Sequence, residues 1–147
     1  MIKIRKARIS DRDQILKLLR QTPELQGSRH HVDAEYNMNY VCGCVRDTKD
    51  NLVLVAMDGK KIVGVATLEI YLKKRFSHLT DIAIIAGCRH QGVGGQLYQA
   101  CEKILRKKKI KAVAGITLAD NKIMRRFCAK HKLDMGKEMY YFEKKLY

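Results

Sequence analysis

The sequence predicts a mixed α/β (α+β) fold, a mostly antiparallel central sheet flanked by helices on both faces. Two observations predict it. Short apolar runs broken by turn signals, above all Leu52–Ala56, Asp58-Gly59 and Ile62–Leu72, read as strands joined by a hairpin. A different period takes over later, where Val93, Leu97, Tyr98, Cys101, Ile104 and Leu105 recur as one face of a helix. Strands that alternate with helices over 147 residues give a single layered domain with a proper core.

In chain order, Ile2 and Ile4 alternate with Lys3 and Arg5 as a short first strand. Ser10-Asp-Arg-Asp13 resembles a capping box and opens a helix carrying Ile15, Leu18 and Leu19. Residues 21–30 read as a loop, and about 31–46 as a second helix. The hairpin strands Leu52–Ala56 and Ile62–Leu72 follow, then a basic loop at Lys73–His78 and a strand at Leu79–Ala86. A long helix at about 92–108 leads to a strand at Lys111–Leu118. Asp120-Asn121 starts a last helix, with Ile123, Met124, Phe127 and Cys128 expected to face inward, and Met139–Phe142 is expected to be the final strand.

Thirty Lys and Arg against fifteen Asp and Glu give a net charge of +15. The excess is uneven: residues 101–147 hold fourteen cations and five acids. Such a field attracts polyanions, whether nucleic acid, an acidic protein or a phosphorylated cofactor. The Arg106–Lys109 run by itself reads as a solvated face, because no aromatics are interleaved for base stacking. No stretch approaches the ~18 apolar residues of a membrane span. Met1–Lys6 has the alternation of a strand and lacks the apolar core of a signal peptide. Five cysteines, an odd number, argue for reduced thiols in a cytoplasmic protein. Cys42-Gly-Cys44 lacks the second pair that a zinc site needs, and no metal is expected.

The stretch Arg89-His90-Gln91-Gly92-Val93-Gly94-Gly95-Gln96-Leu97 stands between a strand and a helix. That order aims the unpaired N–H groups of a helix N-terminus at an anion. Gly-Lys-Ser/Thr, which would close a P-loop, is absent, and a dinucleotide fingerprint would need glycine where Leu97 stands. The Arg89-x-x-Gly92-x-Gly94 spacing instead resembles the acetyl-CoA motif of the GNAT superfamily of N-acetyltransferases. The order of elements is similar to that fold along nearly all the chain.

The resemblance implies that backbone groups at Ile84, Ile85 and Ala86 bind the pantetheine arm and acetyl group. Ala86 stands where the family often has proline. Arg89 to Gly94, with Gly95 and Gln96, would meet the pyrophosphate. Asn121 matches a family asparagine that opens the next helix, but seven residues on, where the family has a tyrosine acid, stands Cys128. A thiol of pKa ~8.5 could protonate a departing thiolate, though it donates hydrogen bonds less well than a phenol; the other reading is a small buried apolar residue. Asp81 interrupts an apolar strand where the family often carries an acid near the acceptor amine, and is the candidate general base. Pairing with a cation is its other reading, and Glu69 and His78 are weaker alternatives. His30, His31, Glu35, Tyr36 and Tyr40 fall where the family shapes its acceptor pocket.

The chain is thus expected to be one domain, 1–147, that binds acetyl-CoA as co-substrate and transfers acetyl to a primary amine by direct attack in a ternary complex. The acceptor would be a small molecule or peptide amine, with the charge favouring neutral or acidic ones. The alternative is a non-catalytic module, either an acyl-CoA sensor or a basic nucleic-acid binder. The sequence names neither the acceptor nor the oligomeric state.

Overall fold

The computed structural model describes residues 1–22, 41–140, 142 and 144. It packs as two compact units, Met1–Ile116 and Thr117–Tyr147. The first holds a five-stranded sheet in the order β1 (Ile2–Lys6), β2 (Asn51–Asp58), β3 (Lys61–Tyr71), β4 (Phe76–Ile84) and β5 (Ala112–Gly115). The first four strands are antiparallel neighbours, and β5 joins β4 in parallel. A parallel pair needs a long crossover, and helix α2 (Val93–Lys107) provides it. The expected mixed, mostly antiparallel sheet is therefore present.

Buried residues run without a break from Leu52 to Ala56 because both faces of the sheet are covered. Helix α1 (Arg12–Arg20) buries Ile15, Leu16, Leu18 and Leu19 in a core with Val53, Val55, Val65 and Ala83. On the other face α2 buries Val93, Leu97, Tyr98, Cys101 and Leu105. Gly64 lets α2 come close, since a Cβ there would lie 2.6 Å from Ile84 Cδ1 and 2.9 Å from Leu97 Cδ1.

Several boundaries differ from expectation. A 3₁₀ turn, Ile9–Asp11, precedes α1, and the residues that close it are Arg8 and Asp11, not the expected Ser10 and Asp13 pair; Asp11 is also the N-cap residue of α1, without a side-chain capping bond. Asp11 accepts the Arg8 N–H at 2.7 Å and both guanidinium nitrogens of Arg5, at 2.7 and 2.9 Å. The Arg5 hydrogen bonds hold its carboxyl below the ordinary range. Strand β4 begins at Phe76, because Phe76, Ser77 and His78 pair with Tyr71, Ile70 and Glu69. The basic loop shrinks to a tight turn, Leu72–Lys74, closed by Arg75 at φ 52. Strand β5 stops at Gly115, short of Leu118. Of the second helix, only 41–46 lie within the described residues and are helical. The 21–30 loop beyond Thr22, and His30, His31, Glu35, Tyr36 and Tyr40, lie outside them.

The second unit contains helix α3 (Lys122–Lys130), capped by Asn121 Oδ1, which accepts the Met124 N–H at 3.0 Å. Of the four side chains expected to face inward, Cys128 is buried while Ile123 is exposed. Met139, Tyr140 and Phe142 adopt no strand and are exposed, so the expected last strand is not formed at these residues. Periodicity supplies only propensity; a strand also needs a neighbour for its N–H and C=O groups, and no described residue pairs with these.

Candidate functional site

The site lies within the first unit, where β4 hands the chain to α2. Strand β4 pairs with β5 only from Phe76 to Leu79, the last partners being Leu79 and Gly115. From Asp81 to Ile84, among the described residues, the ladder partner of β4 is β3 alone. Past Leu79 the strand has parted from β5 and runs on toward the loop that follows.

That loop is held by its own hydrogen bonds. The Ile85 N–H donates to the Val63 carbonyl at 2.9 Å, which ties the end of β4 to β3. A short 3₁₀ turn, Ala86–Cys88, follows. Arg89 Nε donates to the Ile84 carbonyl at 3.1 Å and Gln91 Nε2 to the Gly87 carbonyl at 3.1 Å. His90 is exposed at φ 61, and Gly92 stands at the N-cap of α2 with φ 80 and ψ 3. Two left-handed residues so close together reverse the chain sharply, and glycine suits the second because it has no Cβ to strain. The Gln96 N–H already donates to the Gly92 carbonyl at 3.0 Å. The N–H groups of Val93, Gly94 and Gly95 precede the first intrahelical bond, so they carry the positive end of the α2 dipole.

Asp81 sits one step earlier. A bulge between Thr67 and Leu68 pairs Thr67 with Asp81 and Leu68 with Leu79, so Thr80 is the extra residue. Thr80 Oγ1 donates to the Thr67 carbonyl at 2.7 Å and fixes the bulge. Asp81 is 3 % exposed, in register with the buried Ser77, Leu79 and Ala83. A carboxylate so nearly dry is costly unless it is hydrogen-bonded, which marks the position as specialised. Of the weaker alternatives, Glu69 accepts from the exposed Tyr71 hydroxyl at 2.7 Å, while His78 lies half-buried on β4.

In the second unit, Asn121 spends its carbonyl oxygen on capping α3, and burial pushes the Cys128 thiol up. Cys101, in the core under the sheet, is pushed up to about 12 by burial and is inert packing. Among the described residues no group of His, Cys, Asp and Glu could hold a metal, and no helix is long and apolar enough to cross a membrane.

Two positions escaped the sequence reading. Gly64 sets the approach of α2, and its signal was an isolated glycine inside a strand run. Thr80 makes the bulge, and nothing in the sequence marks it.

The acetyltransferase (GNAT) family matches residues 12–132, and the chain belongs to it. Solved structures share the fold. The PaiA N-acetyltransferase of Thermoplasma acidophilum, in complex with coenzyme A, has a TM-score of 0.78 at 20% identity, over 89% of this chain and 88% of that one. A transcriptional regulator from Bacillus halodurans C-125 has a TM-score of 0.82 at 18% identity, over 98% and 100%. An aminoglycoside acetyltransferase from an uncultured soil metagenomic sample, in complex with sisomicin, has a TM-score of 0.75 at 18% identity, over 99% and 97%. No curated protein matches the sequence.

Proposed function

We propose that the chain is an N-acetyltransferase that moves acetyl from acetyl-CoA to a primary amine by direct attack in a ternary complex. The observation that carries this reading is the parting of β4 from β5 after Leu79, with β4 running on into the loop that opens on the amides of Val93, Gly94 and Gly95. An extended amide-bearing arm ending in a pyrophosphate matches that sequence of groups: strand-like hydrogen bonds first, a helix N-terminus second. Ile84, Ile85 and Ala86 would take the pantetheine and acetyl group, and Arg89 through Gly95 the pyrophosphate. Arg89 braces the loop through the Ile84 carbonyl; the Gln96 N–H is already spent on the Gly92 carbonyl, so Gln96 would contribute through its side chain.

The chemistry needs two reactants held together and two proton transfers. The amine nitrogen attacks the thioester carbon, the N–C bond forms, the C–S bond breaks, and coenzyme A leaves as its thiolate. Asp81 takes the proton from nitrogen, directly or through a water. The thiolate takes a proton from Cys128, which recovers one from solvent, or from solvent itself. Burial raises the pKa of the Cys128 thiol, which favours its protonated form and is consistent with a proton donor. Asn121 would contribute to cofactor binding. The +15 charge supports a neutral or acidic acceptor, and a cytoplasmic setting fits five free thiols.

Calorimetric titration with acetyl-CoA, followed by thiol release across a panel of amines, tests the reading. Binding with one N-acetyl product formed per coenzyme A released is expected. Binding without turnover on any amine would leave a sensor, and no binding would remove the whole assignment.

A further inference from the structure

The two basic runs that are apart in the sequence, Lys73–Arg75 and Arg106–Lys109 with Lys111, meet at one end of the sheet. The first precedes β4 and the second precedes β5, and these strands run parallel from Phe76 opposite Ala112. Their backbones touch: the Lys111 N–H donates to the Arg75 carbonyl at 2.8 Å. Both turns are fixed by left-handed residues, Arg75 at φ 52 and Lys109 at φ 60. Seven of the eight cations are exposed, and Lys108 is half-buried. Among the described residues the ion pair formed there is Arg106 to Glu102, at a loose 4.0 Å.

Helix geometry accounts for a small part of this. Arg106 and Lys107 lie in the last turn of α2, where cations offset the dipole. The other six have no such role, and crowding like charges opposes folding. Nor does this charge serve the acyl-donor loop. That loop follows the opposite end of β4, nine residues or roughly 25–30 Å away, well beyond a Debye length of ~8–10 Å.

We infer that this end of the sheet is a second anion site, one that binds the phosphate backbone of a nucleic acid without reading its sequence. Its chemistry separates that partner from an anionic membrane. Stable membrane attachment needs apolar insertion beside the charge, and the large apolar side chains exposed at the turn are two, Tyr71 and Leu72, at 42 and 38 %, against eight cations. Tyr71 is further held by stacking on Phe76, its centroid 6.0 Å away, and by the Lys74 ammonium at 5.9 Å. What remains for a partner is a broad array of exposed ammonium and guanidinium groups carried on fixed turns, suited to many phosphates at once.

The test uses the full chain and fluorescence anisotropy with a labelled mixed-sequence DNA duplex, the RNA duplex of the same sequence, and phosphatidylserine vesicles. Binding of at least one duplex is expected. If about five phosphates are contacted, affinity falls about 500-fold between about 50 and 200 mM salt. Reversing Lys73, Lys74, Lys107 and Lys109 to Glu is expected to weaken duplex binding at least about tenfold. Lys3, Lys17, Lys60 and Lys61, exposed positions outside the patch, reversed together make the same change in net charge and should cost less than about threefold. Circular dichroism confirms that both variants fold. Equal losses in the two variants would overturn the proposal, since net charge alone would then explain binding. Failure of both duplexes to bind would overturn it too, and vesicle capture in their place would assign the patch to a membrane.

Discussion

At its C-terminal end β4 runs free of β5 and passes into the amides of α2, whereas at its N-terminal end the same strand is pinned to β5 beneath two lysine-rich turns. Both ends offer positive potential, by different means. The loop end uses backbone dipoles at fixed positions, so it favours one anion of one shape. The basic end uses long side chains that hold a large charge and a loose geometry, so it favours an extended anion of any sequence. The contrast teaches that net charge says little about a site until the strands locate it.

Substitutions that act at one end alone can break this contrast. The largest effect is expected between the ends, at Asp81. Asp81→Asn should lower turnover roughly 10²-fold at neutral pH while acetyl-CoA affinity holds, and the defect should shrink at high pH, where the amine is already neutral. A wild-type pH–rate profile would return Asp81 to a purely structural role. Next comes Gly94→Asp, which puts a carboxylate among the amides of α2. It should cost at least about tenfold in acetyl-CoA affinity, about 1.4 kcal/mol, without loss of fold, because an acid suits a helix N-terminus. Duplex binding should not change. If acetyl-CoA affinity by calorimetry is unaltered, the loop does not hold the pyrophosphate.

A smaller and structural effect is expected from Gly64→Val, which drives side-chain atoms into Ile84 and Leu97. Destabilisation of about 1–3 kcal/mol should appear in denaturant unfolding, together with weaker acetyl-CoA binding as α2 is displaced. Gly92→Ala tests the left-handed N-cap: space is open around it, so the cost is backbone strain of about 1–2 kcal/mol. A melting temperature equal to wild type would mean that the loop relaxes. Smallest is Cys128→Ala. Most turnover should survive, since solvent can protonate the leaving thiolate. A large fall in turnover with unchanged acetyl-CoA binding would instead make the thiol the acid.

What the sequence determined by itself was local. Gly92 before a helical period marked a strand–turn–helix junction, with Gly92 at the N-cap of α2, and Asp58-Gly59 marked a hairpin that is present, with Gly59 at φ 58. Asn121 marked a helix start and is one. These signals lie within a few residues of the structure they specify, so backbone preference and side-chain capping suffice to write them. The strand expected at Met139–Phe142 shows the limit, because a run of apolar and aromatic residues names no partner. Only the tertiary structure decided the rest: the splay of β4 from β5 after Leu79, the bulge that sets Asp81, the gap at Gly64 that admits α2, and the meeting of Arg75 with Lys111. Each depends on the register between segments distant in the chain, and register is fixed by packing both faces of the sheet at once.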